Sequence, residues 1–160
     1  MKIGFIGAPS TGKSTLAKKL AKTLKLPLVP EMARLYLELK PPCEPIDQRF
    51  IWLKQYELES QYPKGFVAEG CLANNLFYGE LVNQFVKDLP MIEYTHIFWL
   101  IDRPKAEKDN VRVGLYLTDT FLRLFNEYFE SYPNAIKIYG IEDRESKVLR
   151  VLTGMSQDEV

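Results

Sequence analysis

The sequence predicts an α/β domain, a parallel sheet covered by helices on both faces. Three observations carry that expectation. Short apolar runs alternate along the chain with longer segments of helical spacing, the order expected of strand–helix–strand units. Those runs are nearly continuous rather than alternating, as in strands buried on both faces. The 160 residues, 46% of them hydrophobic and 26% charged, contain no internal repeat, linker or low-complexity tract, so a single domain over residues 1–160 is expected.

Each element has its own signal. Lys2 to Ile6 is an apolar run stopped by Gly7 and reads as a buried strand. Ser14 to Lys25 places Leu16, Leu20 and Leu24 four apart with lysines opposite, an amphipathic helix. Pro27 to Pro30 is a very short second strand. Glu31 to Leu39 has helical spacing through Met32, Leu35, Tyr36 and Leu39 until Pro41-Pro42 stops it. Pro45 can open a helix running to about Gln61, with Phe50, Leu53 and Tyr56 or Glu57 on successive turns. Gly65 to Ala68 is the third strand. Leu72 to Val86 reads as helix, with Gly79 a candidate break. Thr95 to Ile101 is the clearest central strand. Residues 102–114 are densely charged and read as an exposed loop. Leu117 to Tyr132 is helical, Ala135 to Tyr139 a fifth strand, Ile141 to Leu152 a last helix, and 154–160 a polar tail.

Composition narrows the function classes. Lys+Arg and Asp+Glu both number 21, so the formal net charge is zero, which argues against a nucleic-acid or anionic-membrane binder. Cys43 and Cys71 make no disulfide framework, and a single histidine argues against a zinc site on ligand count. The expectation is reduced thiols and a cytoplasmic location. The first residues are too short an apolar run for a signal peptide, and no segment reaches the ~20 apolar residues that span a bilayer. His96 lies inside a strand run and reads as structural.

The chemistry is concentrated at Gly7-Ala8-Pro9-Ser10-Thr11-Gly12-Lys13-Ser14-Thr15. This stretch fits G-x-x-x-x-G-K-[ST] and lies between a strand and a helix, the context the motif needs. Glycine lets the backbone turn its N–H groups onto phosphate oxygens, and the helix start points its positive end at the same anion. Lys13 can reach the β- and γ-phosphates, and the Ser14 hydroxyl can ligate Mg²⁺. Gly7, Pro9, Ser10, Thr11, Gly12 and Thr15 complete the expected ATP-binding set, Thr15 standing one place late for the metal.

Several enzyme classes use such a loop. No Asn-Lys-x-Asp base-reading signal is present, and the chain is short for a remodelling ATPase with its sensor and lid machinery. A compact kinase for a small metabolite fits. It needs an acid for the metal or the attacking hydroxyl, an acceptor pocket and a cationic lid. Glu69 ends the third strand and Glu31 follows the second, the strand ends where open α/β sheets bind ligands. Either carboxylate could hold Mg²⁺ or take the hydroxyl proton; the alternative is a solvated carboxylate at a helix start. Arg103, Lys105, Lys108 and Arg112 fall in the charged loop, where arginine could close over a polyphosphate, although such a run alone reads as a solvated face. Tyr36, Phe50, Trp52, Tyr56, Phe77 and Tyr78 crowd the middle of the chain, and one or two could stack on an acceptor ring while the rest form core.

Taken together, Gly7–Thr15, Glu31-Met32-Ala33-Arg34-Leu35-Tyr36, Glu69, Asp109-Asn110-Val111-Arg112 and Asp143-Arg144 resemble the P-loop kinase-like ATPase domains related to the ribosylnicotinamide kinase domain of the bacterial bifunctional NAD-biosynthesis regulator. The resemblance covers most of the chain. It implies a P-loop NTPase fold with a five-stranded parallel sheet in the order 2-3-1-4-5 and a lid at about 102–116 carrying Arg112. It also implies an acceptor pocket near Glu31, Arg34 and Tyr36, and an adenine contact near Gly140–Arg144. One departure stands out: the family usually carries Asp-Arg at the end of strand three, and this chain has Glu69-Gly70. The expectation is therefore an ATP- and Mg²⁺-dependent kinase with Lys13, Glu69, Glu31 and Arg112 at the reaction and Ser14 and Glu69 at the metal. Its small-molecule acceptor is nicotinamide riboside or a related (deoxy)nucleoside or nucleotide. The alternatives are a regulatory ATPase acting through a protein partner, or a kinase of a non-nucleoside metabolite. The zero net charge is an average: residues 1–40 hold eight Lys and Arg against two acids, which suits a small polyanion near the loop.

Overall fold

Strand β1 (Lys2–Ile6) is the central strand of the sheet and is buried on both faces. Ile3 and Phe5 point to one side, and Ile6 to the other, all of them 0% exposed. The computed structural model describes residues 1–41, 44–104 and 118–154. Cys43, the charged segment 105–117 with Lys105, Lys108 and Arg112, and the tail from 155 onward lie outside the described residues.

Helix α1 (Lys13–Leu24) follows β1, then β2 (Leu28–Val29), α2 (Met32–Leu39), α3 (Gln48–Ser60), β3 (Phe66–Ala68) and α4 (Asn74–Leu81). Strand β4 (His96–Leu100), α5 (Asp119–Phe129), β5 (Ala135–Ile138) and α6 (Arg144–Leu152) complete the described chain. The five strands form one sheet in the order β2-β3-β1-β4-β5, with every pair parallel. In register, Ile3 of β1 stands beside Val67 of β3 and His96 of β4. Successive crossovers run to one side of β1 and then to the other. The order therefore switches at β1, and a crevice opens at the carboxyl ends of the strands.

One face is closed by α1 and α6, where Leu16, Leu20 and Val148 pack on Phe5, Phe98 and Leu100. The opposite face is closed by α4 and α5, where Phe77, Phe121, Phe125 and Phe129 pack on Ile6 and Trp99, and by α3, where Trp52 packs on Phe66 and Ala68. Each fully buried aromatic or aliphatic side chain contributes roughly 1.5–3 kcal/mol, whereas exposed pairs such as Lys54–Glu57 and Arg123–Glu127 contribute about 0–1 kcal/mol. The sheet faces, not the surface ion pairs, hold the fold. His96 stacks on Phe98 at 6.0 Å between ring centroids, a packing role.

Several elements differ from the sequence reading. Helix α3 buries the face opposite to the one its aromatic and leucine spacing suggested. Phe50 and Leu53 are 42% and 43% exposed, while Ile51, Trp52, Gln48, Gln55 and Glu59 are buried. Polar residues on a buried face hide a helix from hydrophobic periodicity. Helix α2 buries no residue fully, and its Leu39 is exposed. Helix α4 ends at Leu81 rather than continuing to Val86, because the chain folds back over it. The Gln84 N–H donates to the Gly79 carbonyl at 2.8 Å, and a methyl carbon at Gly79 would lie 2.8 Å from Val86 Cγ2. Gly79 thus accommodates the return instead of breaking the helix. Helix α5 starts at Asp119 because Thr118 Oγ1 accepts the Phe121 N–H at 3.1 Å, and α6 starts at Arg144 after a left-handed Asp143.

Gly4 lies where β1 meets the segment after β3: a methyl carbon there would lie 2.5 Å from Cys71 Cβ and 3.1 Å from Tyr94 Cε1. Neither neighbour can retreat, since Cys71 is anchored to the Phe5 carbonyl by its backbone N–H at 3.3 Å and its thiol at 3.4 Å. Gly4→Ala is expected to destabilise the protein by roughly 1–3 kcal/mol through overpacking, read as a lower urea midpoint with an unchanged slope.

Candidate active site

The loop between β1 and α1 has its shape from a few enforced contacts. Gly7 has no room for a side chain: a methyl carbon would lie 2.5 Å from Thr11 Oγ1 and 3.3 Å from the Leu100 carbonyl. Ser10 and Gly12 take left-handed φ values of 64° and 92°, backbone turns of the kind that form anion-binding concavities, while the Thr11 N–H between them donates to the Ala8 carbonyl at 3.3 Å. Helix α1 begins at Lys13 with no side-chain cap, so its first N–H groups face the same concavity without intrahelical acceptors.

The carbonyls of that loop are satisfied from behind. Lys13 Nζ donates to the Gly7 carbonyl at 2.7 Å and the Ala8 carbonyl at 3.2 Å, and Thr11 Oγ1 donates to the Ala8 carbonyl at 2.9 Å. The Gly7 N–H donates to Asn74 Oδ1 at 3.0 Å, which ties the loop to the start of α4. Arg144 donates from one Nη to the Thr11 carbonyl, from the other to the Asp102 carbonyl at 2.6 Å, and from Nε to the Gly140 carbonyl at 2.6 Å. Its guanidinium therefore joins the loop to the ends of β4 and β5, and burial lowers its pKa below the ordinary arginine value.

Both sequence-selected acids lie at this end of the sheet. Glu69, 8% exposed, follows β3, and its Oε1 lies 3.6 Å from Lys18 Nζ on α1. Glu31 precedes α2, and its carboxylate lies over Gly70: a methyl carbon on Gly70 would lie 2.9 Å from Glu31 Oε1. This contact gives Gly70 a physical reason. The residue after the strand-three acid must be small for Glu31 to occupy its place. Ser14 is half-buried at the first turn of α1, and Thr15 is exposed.

Beside the loop is a cavity of about 180 Å³ between α2, α3 and α4. Pro9 and Lys13 form its wall on the loop side, and Glu31, Arg34, Gln48, Asn75 and Tyr78 line the rest together with apolar residues including Leu37 and Ile51. Gln48 is 6% exposed, and its Oε1 is buried with no hydrogen-bond partner among the described residues. Tyr36 is not among the described residues lining this cavity. Its ring packs on Phe50 at 5.7 Å, and its hydroxyl accepts the Asp47 N–H at 3.3 Å. Of the aromatics singled out in the sequence, Tyr78 lines the cavity, whereas Trp52 and Phe77 belong to the core. Sequence reasoning passed over Gln48, Asn74 and Asn75. Their signal was polar residues at positions whose neighbours are apolar, as in Gln48 before Ile51 and Asn74-Asn75 before Leu76-Phe77. Among the described residues, no group of three or more His, Cys, Asp or Glu side chains could hold a metal ion, and no helix is long and apolar enough to cross a membrane.

This architecture has solved counterparts. The chain is similar to the structure of deoxyadenosine kinase from M. mycoides with dCMP and dCDP bound, at a TM-score of 0.68 and 14% identity over 97% of this chain and 100% of that one. It is also similar to the same enzyme with bound dATP, at a TM-score of 0.63 and 11% identity over 96% of this chain and 100% of that one. At such identities the likeness is one of fold. No curated protein sequence is similar to the chain. Residues 2–115, from the first strand through the phosphate-binding loop and both acids, match the AAA domain family, and the chain belongs to that family.

Proposed function

We propose that this protein is an ATP- and Mg²⁺-dependent kinase of a small nucleoside-like acceptor, with nicotinamide riboside or a related (deoxy)nucleoside or nucleotide as the acceptor class. The observation that carries this reading is the cavity beside the phosphate loop, bounded by Pro9 and Lys13 on one side and lined by Arg34, Gln48, Asn75 and Tyr78 on the others. An acceptor bound there has its hydroxyl toward the phosphate loop and a ring N–H toward Gln48. Tyr78 offers a ring face, and Arg34 and Asn75 offer donors from the walls.

The residue roles follow from chemistry. The loop amides and Lys13 bind the β- and γ-phosphates. Ser14 and Glu69 have the hard oxygen donors that suit Mg²⁺, which when bound neutralises charge on the phosphates. In the transfer, the acceptor oxygen bonds to the γ-phosphorus, the bond to the bridging oxygen of ADP breaks, and the hydroxyl proton passes to a carboxylate. Glu31 and Glu69 are the two candidates for that proton. Arg112, on a lid at about 102–116 of a single domain, clamps the transferring group, and Arg144 sets the loop edge near the adenine.

The decisive experiment is an ADP-release screen against a panel of nucleosides, nucleotides and non-nucleoside metabolites. Stimulation by a nucleoside-like acceptor supports the kinase. Stimulation by none of them favours a regulatory ATPase acting through a protein partner, a reading that membership of the AAA domain family also accommodates. Lys13→Ala is expected to abolish acceptor-stimulated turnover with helix and sheet content unchanged by circular dichroism, and to lower the thermal midpoint because the Gly7 carbonyl loses its donor.

Gln48→Leu keeps the side-chain bulk and removes the unpaired oxygen. It should raise the acceptor KM by roughly threefold to tenfold, the worth of one hydrogen bond, with the ATP KM unchanged. Its thermal midpoint should equal or exceed that of the parent, because a buried unsatisfied acceptor has gone. An unchanged acceptor KM would remove Gln48 from the site.

A further inference from the structure

A second polar cluster lies beneath the site, on the buried face of α3. Glu59 is 0% exposed, and its two carboxylate oxygens have different partners. Oε1 accepts from Gln55 Nε2 at 2.9 Å, and Oε2 accepts from the Tyr94 hydroxyl. Each partner continues to the backbone of a segment that carries one of the site's acids. Gln55 Oε1 accepts the Met32 N–H at 2.7 Å, and Gln55 Nε2 also donates to the Pro30 carbonyl at 3.3 Å, so the amide holds the backbone on both sides of Glu31. The Tyr94 hydroxyl accepts the Leu72 N–H at 2.9 Å, three residues beyond Glu69.

We propose that Glu59 is a positioning residue which, through Gln55 and Tyr94, aligns the Glu31 and Glu69–Leu72 segments with each other. The inference rests on the reading above that these two acids serve one reaction. The donor pattern is consistent only for the ionised carboxylate. Both oxygens then accept, the tyrosine hydroxyl donates to Glu59 and accepts from Leu72, and every group is paired. A protonated Glu59 must donate to the Tyr94 oxygen, which leaves the tyrosine proton buried and unpaired. The relay is therefore asymmetric: its Tyr94 arm reverses with the Glu59 proton.

Burial raises the Glu59 pKa to about 7, against the Tyr94 and Gln55 hydrogen bonds and the charge of Lys2, which lower it. The two buried titratable groups beside it, Cys71 and Tyr94, stay neutral there. Burial pushes the Cys71 thiol up to about 12 and the Tyr94 phenol well above its ordinary value. Because the folded midpoint exceeds the ordinary 4.5, the folded state binds the extra proton between about 4.5 and about 7. The contribution of Glu59 to stability is thus greatest below that window and falls as pH rises through it.

The test uses the ¹⁵N-labelled full chain, with the Met32 and Leu72 amide resonances followed across the neutral range. Both should titrate with one midpoint at about 7 in the parent. Glu59→Gln should abolish the titration at both amides, and Tyr94→Phe should abolish it at Leu72 alone. In the acceptor assay, Glu59→Gln should lower kcat roughly tenfold or more through misplacement of the acids, with the ATP KM within about twofold. Amides that do not titrate together, or that titrate in Glu59→Gln as in the parent, overturn the relay. A kcat unchanged in Glu59→Gln overturns the positioning role. Coupled titration without any acceptor-stimulated turnover sustains the relay and overturns the kinase reading instead.

Discussion

A loop that turns its N–H groups toward a phosphate must turn carbonyls away from it, and those carbonyls lie in a buried part of the molecule. An unsatisfied buried carbonyl costs about 1–3 kcal/mol, so the loop persists only if donors reach it from behind. Lys13, Thr11 and Arg144 supply them to Gly7, Ala8 and Thr11, and Asn74 accepts the Gly7 N–H. This constraint organises much of the rest. Arg144 comes from the start of the last helix and also holds the Asp102 and Gly140 carbonyls, so the ends of β4 and β5 are placed relative to the loop by one side chain. Asn74 opens α4, and it fixes a wall of the neighbouring cavity to the same loop.

The sheet supplies the second half of the geometry. With β1 central and the strand order switching around it, the carboxyl ends of β1, β2 and β3 face one crevice. Glu31 and Glu69 leave β2 and β3 there by short connections. The absence of a side chain at Gly70 lets the Glu31 carboxylate approach the strand-three end. Helix α3 closes the crevice with an unusual face: its buried stripe mixes Ile51 and Trp52 with Gln48, Gln55 and Glu59. Two of these polar residues tie together the segments bearing the acids, and the third faces the cavity.

Much of this was legible in the chain. The strand positions, the parallel class and the loop with Lys13 and Ser14 followed from local signals, because a buried strand must be continuously apolar and a phosphate loop must be glycine-bounded and lead into a helix. The order β2-β3-β1-β4-β5 came from family resemblance and is the observed order. The buried face of α3 was read wrongly. Hydrophobic periodicity assumes that polar means exposed, and there Gln55 and Glu59 are buried because they find partners outside the helix, at Met32 and Tyr94, while Gln48 lines the cavity. The helix ends were off by a few residues for a related reason: Thr118 capping and the return of the chain over Gly79 are single contacts that no periodicity carries.

The sequence by itself determined the sheet class, the phosphate loop and the identity of the two strand-end acids, because each depends on neighbours close along the chain. Only the tertiary structure decided what those residues face. Arg144 reaches the loop from 133 residues away, Tyr94 binds Glu59 across 35, and Glu31 lies over Gly70 because a distant glycine leaves it room. Such contacts are set by the folding back of the chain, and their energy depends on burial and pairing that a linear pattern does not contain.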